Sequence, residues 1–227
     1  MMQQSAKWSA THSLEWQDFF IASVTDKKTN GTYLEIGASG PIQSSNTYLL
    51  ETKLNWRGIA IELDQMLASQ HKEQRKNPCI CADATKINYS ELLEQHNLGP
   101  HIDYLQLDID PPDQTFNALT QIDFHKYSFS VITYEHDYYA NPEYNNKWRQ
   151  QSREFFENYG YTRVVSDVVP NDQLLGHEDW YVNEKYMTSD TWQLFIGSDV
   201  RMYRDSSLMD QYYRQLLNKC LNYDFSN

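Results

Sequence analysis

With 227 residues, a formal net charge of -12 and a pI near 4.9, the chain is long enough to bury one sizeable core. It lacks the basic footprint that phosphate backbones require, so neither DNA nor RNA is expected as a partner. No apolar run is long enough to span a bilayer and no secretory leader stands out, so a cytoplasmic protein without membrane association is expected. Cys79, Cys81 and Cys220 match neither a disulfide framework nor a zinc spacing and read as free thiols.

In chain order, Ser13 is expected to cap a helix from Leu14 to about Val24. Apolar runs then alternate with polar helical segments. The expected elements are strand Tyr33–Ile36, helix Ser45–Leu54, strand Gly58–Glu62, helix Gln65–Lys76, strand Cys79–Cys81, helix Tyr89–His96 and strand Tyr104–Ile109. A short helix at Gln114–Gln121, strand Ser130–Tyr134, a polar helix at Glu143–Tyr159, strand Thr162–Val169 and a last, antiparallel strand near Asp179–Val182 follow. Leu208–Leu221 has the spacing of a terminal helix. The alternation predicts an α/β fold, a mostly parallel sheet with helices on both faces. No linker divides it, so one domain over 1–227 is expected, with an N-terminal helix and a C-terminal helical extension.

Ligands of open parallel sheets collect beyond the carboxyl ends of the strands, and here those ends are crowded with acids. Gly37 and Gly40 let the chain turn sharply after Glu35, where a Cβ would clash with a ligand. Glu62, ending the next strand, can accept both hydroxyls of a ribose, and Asp83, after the third, can accept an adenine amino group. Glu35 with the Gly37–Gly40 turn is left for the amino-acid end of a nucleoside cofactor. Each position alone is equally well explained by helix capping or tight packing; the series is what carries the reading.

Asp108 and Asp110 end the fourth strand, and Glu135, His136 and Asp137 end the fifth, so the two groups are expected to converge on one reaction centre. Asp108, Glu135 and His136 are the expected ligands of a Mg²⁺ or Mn²⁺ ion, whose hard character suits oxygen donors. Asp108 and His136 are the expected catalytic residues. Either the metal lowers the pKa of a substrate hydroxyl or His136 removes its proton, and both routes stay open. His177-Glu178-Asp179 forms a second, weaker cluster. Seventeen tyrosines and six tryptophans supply flat faces with polar tips, which suits a sugar-like ligand.

The chain resembles the FkbM-type family of S-adenosylmethionine-dependent methyltransferases. The matching pieces are Tyr33-Leu34-Glu35-Ile36-Gly37-Ala38, Ser45-Asn46-Thr47-Tyr48 with Leu50-Glu51, Trp56-Arg57-Gly58-Ile59 through Glu62, Asp103-Tyr104-Leu105 through Asp110, and Glu178-Asp179-Trp180. The resemblance implies a Rossmann-like class I methyltransferase fold with a seven-stranded sheet and S-adenosylmethionine as cofactor. It also implies O-methylation of a hydroxyl on a sugar, glycan or small natural product. Glu35, Gly37 and Glu62 carry over as cofactor positions; Ala38, Ser39, Asn46, Asp83 and Ala84 complete the expected set. One departure is Ile109-Asp110-Pro111-Pro112, where the family usually has Ile-Glu-Gly after the strand-four acid, and this predicts a different loop path.

Two alternatives are a nicotinamide-dependent oxidoreductase and a catalytically silent module that binds a glycan or protein. The first wants a third glycine at the helix start, which this turn lacks. The second gives no reason to keep like charges close together.

Overall fold

The computed structural model describes residues 11–169, 174–196, 198 and 199. The elements are α1 (Gln17–Val24), β1 (Thr32–Ile36), α2 (Tyr48–Leu54), β2 (Arg57–Glu62), α3 (Gln65–Gln74), β3 (Cys79–Cys81), α4 (Tyr89–Gln95), β4 (His101–Leu107), α5 (Pro112–Gln121), β5 (Ser128–Glu135), α6 (Pro142–Asn158), β6 (Thr162–Val168), β7 (Glu178–Val182) and β8 (Ser198–Asp199). They form one sheet in the order β3-β2-β1-β4-β5-β7-β6-β8. Strand β7 alone runs antiparallel, against both β5 and β6, and the two-residue β8 extends the expected seven strands by one. The helix expected at Leu208–Leu221 and Cys220 lie outside the described residues. No helix among the described residues is long and apolar enough to cross a membrane.

Alternation along the strands divides the core. Tyr33, Tyr104, Val131, Trp180 and Val182 face α1 and α2, where Phe19, Phe20, Val24 and Leu50 pack on them. Leu34, Ile36, Leu105, Leu107, Ile132, Tyr134 and Tyr181 face the other way, onto Leu93 of α4, Leu119 of α5 and Phe156 of α6. Each of these large apolar side chains contributes about 1.5–3 kcal/mol by leaving water. The period of two also fixes the chemistry above the core. Glu35, Gln106, Asp108, Thr133, Glu135 and Glu178 share the α1 face, whereas His136 and Asp179 fall on the α6 face.

Four helix starts differ from expectation for local reasons. Helix α1 begins at Gln17 rather than Leu14, because Trp16 takes a left-handed conformation (φ 67). Ser13 still serves that end, accepting the Asp18 N–H at 3.1 Å and donating to Asp18 Oδ1 at 2.6 Å. Helix α2 starts at Tyr48, leaving 37–47 as a long loop after β1. Pro112 and Pro142 open α5 and α6, since a proline's missing N–H costs nothing in the first turn. The Asp110-Pro111 peptide is cis.

Candidate active site

At the end of β1, Gly37 and Ala38 donate their N–H groups to Ile61 O at 2.9 and 3.1 Å, and Asp108 N donates to Ile36 O at 3.0 Å. This stitches the ends of β1, β2 and β4 together. Gly37 has φ +83, and a Cβ there would stand 1.7 Å from the Asp108 carbonyl oxygen. No other residue type fits. Ser39 also turns left-handed (φ 50) and donates its N–H to Glu62 Oε2 at 2.8 Å, while Asp64 N donates to Glu62 Oε1 at 2.8 Å. Glu62 is thus held by two backbone amides and remains half-buried, with lone pairs still facing outward.

Glu35 lies beneath this turn, 1% exposed, accepting a hydrogen bond from Thr47 Oγ1 at 2.6 Å. Burial pushes its carboxyl up to about 7; Arg75, the Thr47 hydroxyl and the Asn46 amide pull against that rise. Asn46 is itself 7% exposed, so Glu35 and Asn46 act on each other within the loop rather than lining open space. Arg75, just past α3, fixes the same loop from the other side. Its guanidinium donates to Glu51 Oε2 (2.9 Å), Pro41 O (3.0 Å), Ser45 Oγ (3.2 Å) and Thr47 Oγ1 (3.0 Å), and its side chain is 2% exposed. Nothing in the local sequence marks Arg75, because its partners come from a loop some thirty residues earlier.

Beside Glu62, a pocket of about 160 Å³ is walled by Ile61, Leu63, Ala84 and Ile109 and rimmed by Asp83, Asp110 and Gln114. Asp83 holds its own turn, accepting from Thr85 N (3.0 Å) and Thr85 Oγ1 (2.6 Å). The Lys86 ammonium, 2.7 Å away, and Thr85 hold its carboxyl down at about 2, so it is an anionic acceptor at the pocket rim.

The acids at the ends of β4 and β5 divide in a way the sequence did not predict. Asp108 and Glu135 are hydrogen-bonded to each other and half-buried; Asp137 joins Glu135, and Asp110 joins Asp137. Burial and the charges of Asp108 and Asp137 raise Glu135 well above the carboxylate range, so Glu135 keeps a proton to donate to Asp108 or Asp137. Burial likewise lifts Asp137, to about 6.

His136 is not part of this centre. Successive residues of a strand point to opposite faces, so Glu135 faces α1 and His136 turns, with no exposure, toward α6. There its Nε2 lies 3.7 Å from Asp167 Oδ1 and 3.6 Å from Asp179 Oδ1. The expected metal set Asp108, Glu135 and His136, and the role of His136 as base, are corrected on this ground. Nor does the new trio suit a divalent cation. Arg149 clasps Asp167 through two bonds of 2.6 Å, and Arg153 clasps Asp179 at 2.6 and 2.8 Å, so two guanidiniums already balance the two carboxylates. Tyr138 N donates to His136 Nδ1 at 3.2 Å, which leaves the proton of the neutral ring on Nε2, facing both acids. His177 is also buried, and burial depresses its imidazole to about 3; its carbonyl receives the N–H groups of His136 and Asp137 and anchors their turn.

Glu178 closes the α1 face. It accepts hydrogen bonds from Trp180 Nε1 and from Gln17 Nε2 at 3.2 Å, and burial lifts its carboxyl from 4.5 to about 8. The folded protein therefore keeps this proton in a range where the unfolded chain has released it. The stability it contributes is complete below about 4.5 and is lost as pH rises toward 8. Glu178→Gln, which keeps an acceptor for both donors, is expected to lose less melting temperature than the parent across that interval. Parallel melting-temperature profiles for the two proteins would show that Glu178 ionises freely.

A sheet of seven principal strands, with one antiparallel strand next to last and helices on both faces, defines the class I methyltransferase fold. Among solved structures, cofactor-bound Rv0187 from MTB superposes with a TM-score of 0.54 at 13% identity, over 79% of this chain and 87% of that one. The O-methyltransferase from Bacillus cereus in complex with SAH gives 0.48 at 17% identity, over 80% and 88%. Aeropyrum pernix fibrillarin with natively bound S-adenosyl-L-methionine gives 0.46 at 13%, over 74% and 76%. At these identities the likeness is one of fold. No protein-family model matches the chain, and the search of curated proteins found no match.

Proposed function

We propose that the protein is an S-adenosylmethionine-dependent methyltransferase acting on a hydroxyl oxygen, of the FkbM type in its sequence motifs. The observation that carries this reading is the alignment of three features along adjacent strand ends. The Gly37 turn approaches the backbone of Asp108, Glu62 sits beside it, and the Asp83–Ala84 pocket follows. Together they offer a cradle for a methionine end, a carboxylate for a ribose and a walled slot for an adenine. A dinucleotide is less well served. The glycine turn is separated from α2 by the loop 37–47, so the helix that follows it in the chain does not begin at the turn, where a pyrophosphate would need its N-terminus.

S-adenosylmethionine held there would supply an electrophilic methyl group, whose transfer in line to the acceptor oxygen would leave the carbon–sulfur electron pair on sulfur. The hydroxyl proton passes to a carboxylate. Asp108 is the residue for this role, since it is half-buried at the cradle and its neighbour Glu135 already holds a proton. With the sulfonium as leaving group, the protein's main contribution is placement of the two reactants. Oxygen donors would suit Mg²⁺ or Mn²⁺, yet the only three His, Cys, Asp or Glu donor atoms within 4.8 Å of one another among the described residues are those of His136, Asp167 and Asp179. No step is routed through a metal. Sugars and small natural products with free hydroxyls are the acceptor class that the FkbM-type motifs favour, and the net charge of -12 disfavours nucleic acid.

The test is transfer of labelled methyl from S-adenosylmethionine to a panel of hydroxylated glycans and natural products. Asp108→Asn is expected to lose turnover by about two orders of magnitude or more while keeping cofactor affinity. Full turnover in that variant would exclude Asp108 as proton acceptor.

A further inference from the structure

A second recess lies at the opposite end of the strands from the glycine turn. Asn30, Asn55 and Asn77 each stand two residues before a strand, β1, β2 and β3 in turn, so parallel pairing brings the three amides together at the amino ends. Asn30 and Asn55 are left-handed (φ 58 and 56), a conformation that asparagine tolerates better than most residues. Asn55 Nδ2 donates to Asn30 Oδ1 at 2.5 Å, and Asn77 Nδ2 donates to Glu51 Oε2 and Trp56 O, both at 3.0 Å. With Arg57 and Lys76 these amides line a space of about 220 Å³. Among the described residues neither Arg57 nor Lys76 forms an ion pair, and the Arg57 guanidinium donates only from Nη2, to Asn97 O at 3.2 Å. The carboxylate lining the recess, Glu51, is already met by Arg75 at 2.8 Å and by the Lys76 backbone N–H at 2.7 Å. What remains is a local excess of two positive charges in a chain of net charge -12. Exposed charges more than about 8 Å away are largely screened at physiological salt, so the local pair decides what the recess attracts.

We propose that this recess is a second ligand site, one that takes the phosphate monoester of a small polyol or sugar. A guanidinium fork beside an ammonium suits a dianionic phosphate, whose hydrogen bonds to both are charge-assisted. Amide side chains offer donors and acceptors together, which suits hydroxyl groups next to the phosphate. Asn77 shows the arrangement, since its bonds to Glu51 and Trp56 both leave from Nδ2 and Oδ1 is left to accept from a hydroxyl. The space is small beside the roughly 300–1,000 Å³ of sites that bury a drug-sized ligand, which favours a short phosphorylated polyol over a nucleotide. The recess shares no residue with the Glu62 and Asp83–Ala84 region, so the inference stands apart from the methyl-transfer reading.

Calorimetric titration of the full chain with glucose 6-phosphate, inorganic phosphate and glucose tests this. Glucose 6-phosphate is expected to fill one site per chain, about tenfold or more tightly than glucose, with inorganic phosphate competing for it. Arg57→Gln and Lys76→Gln are each expected to weaken that binding about tenfold. Both side chains are exposed, so the variants should melt like the parent. Lys126→Gln removes the same charge elsewhere, beside Glu94, and is expected to leave the affinity unchanged. The absence of saturable binding of glucose 6-phosphate overturns the inference, as does an equal loss in all three variants, which would mean diffuse charge attraction. Binding that Asp108→Asn abolishes and Arg57→Gln spares also overturns it, because the ester would then occupy the acceptor side of the first site.

Discussion

Gly37→Ala is expected to abolish binding of S-adenosylmethionine and to lower the melting temperature by about 10 °C. The cause is local and doubly enforced. At φ +83 an alanine is strained in its own backbone, and its Cβ would lie 1.7 Å from the Asp108 carbonyl oxygen, an atom of a paired strand end that no side-chain rotation can move. Backbone strain of about 1–3 kcal/mol adds to overpacking of similar size. Relief requires β1 and β4 to separate where the cofactor's methionine end would sit. Gly99→Ala is the control, since a Cβ there meets nothing within 4 Å. Thermal melts and calorimetry of both variants decide the matter. If Gly37→Ala melts and binds like the parent, the close approach of the two strand ends has no functional weight.

Arg75→Met is expected to cost about 3–5 kcal/mol, because it removes one member of a buried charge network and leaves the others in place. Glu51 would lose its 2.8 Å ion pair, and Ser45, Thr47 and Pro41 would lose the donor that ties the loop to α3. Glu35, now without the opposing guanidinium, would rise above about 7 and become neutral over more of the physiological range. Arg75→Lys is expected to recover only part of the loss, since one ammonium cannot reach the partners that a planar fork reaches together. Urea unfolding of the three proteins measures the effect. Equal midpoints would mean that the loop holds its shape without Arg75.

The fold was legible because the signals were local and repeated. Tyr33–Ile36, Gly58–Glu62 and Cys79–Cys81 lie within a residue or two of the observed strands, and the antiparallel last strand follows from the tight spacing of β6 and β7. The glycine turn was legible for the same reason: left-handed backbone leaves a glycine in the sequence. The side-chain partners were not. Glu135 and His136 are neighbours in the chain and were expected to share a site, yet strand geometry sends them to opposite faces. The partners His136 meets, Asp167 and Asp179, come from β6 and β7, and Asp167 enters only because β6 is irregular there and turns left-handed at φ 55. A bulge of this kind has no fixed sequence mark, although Gly176 is one trace of it, since a Cβ at that position would lie 2.4 Å from Asp167 Cα. The position of Glu35 at the end of a strand points to a ligand contact. Its burial beneath the loop depends on Thr47 and Arg75, which only the folded chain brings to it.

The most direct test of the central claim is calorimetric titration of the parent protein with S-adenosylmethionine, S-adenosylhomocysteine and a nicotinamide dinucleotide. One site per chain for each of the first two ligands, weakened by Glu62→Gln through loss of the ribose contact, and no binding of the third is the result expected. Tight binding of the dinucleotide with none of either sulfur ligand would contradict it.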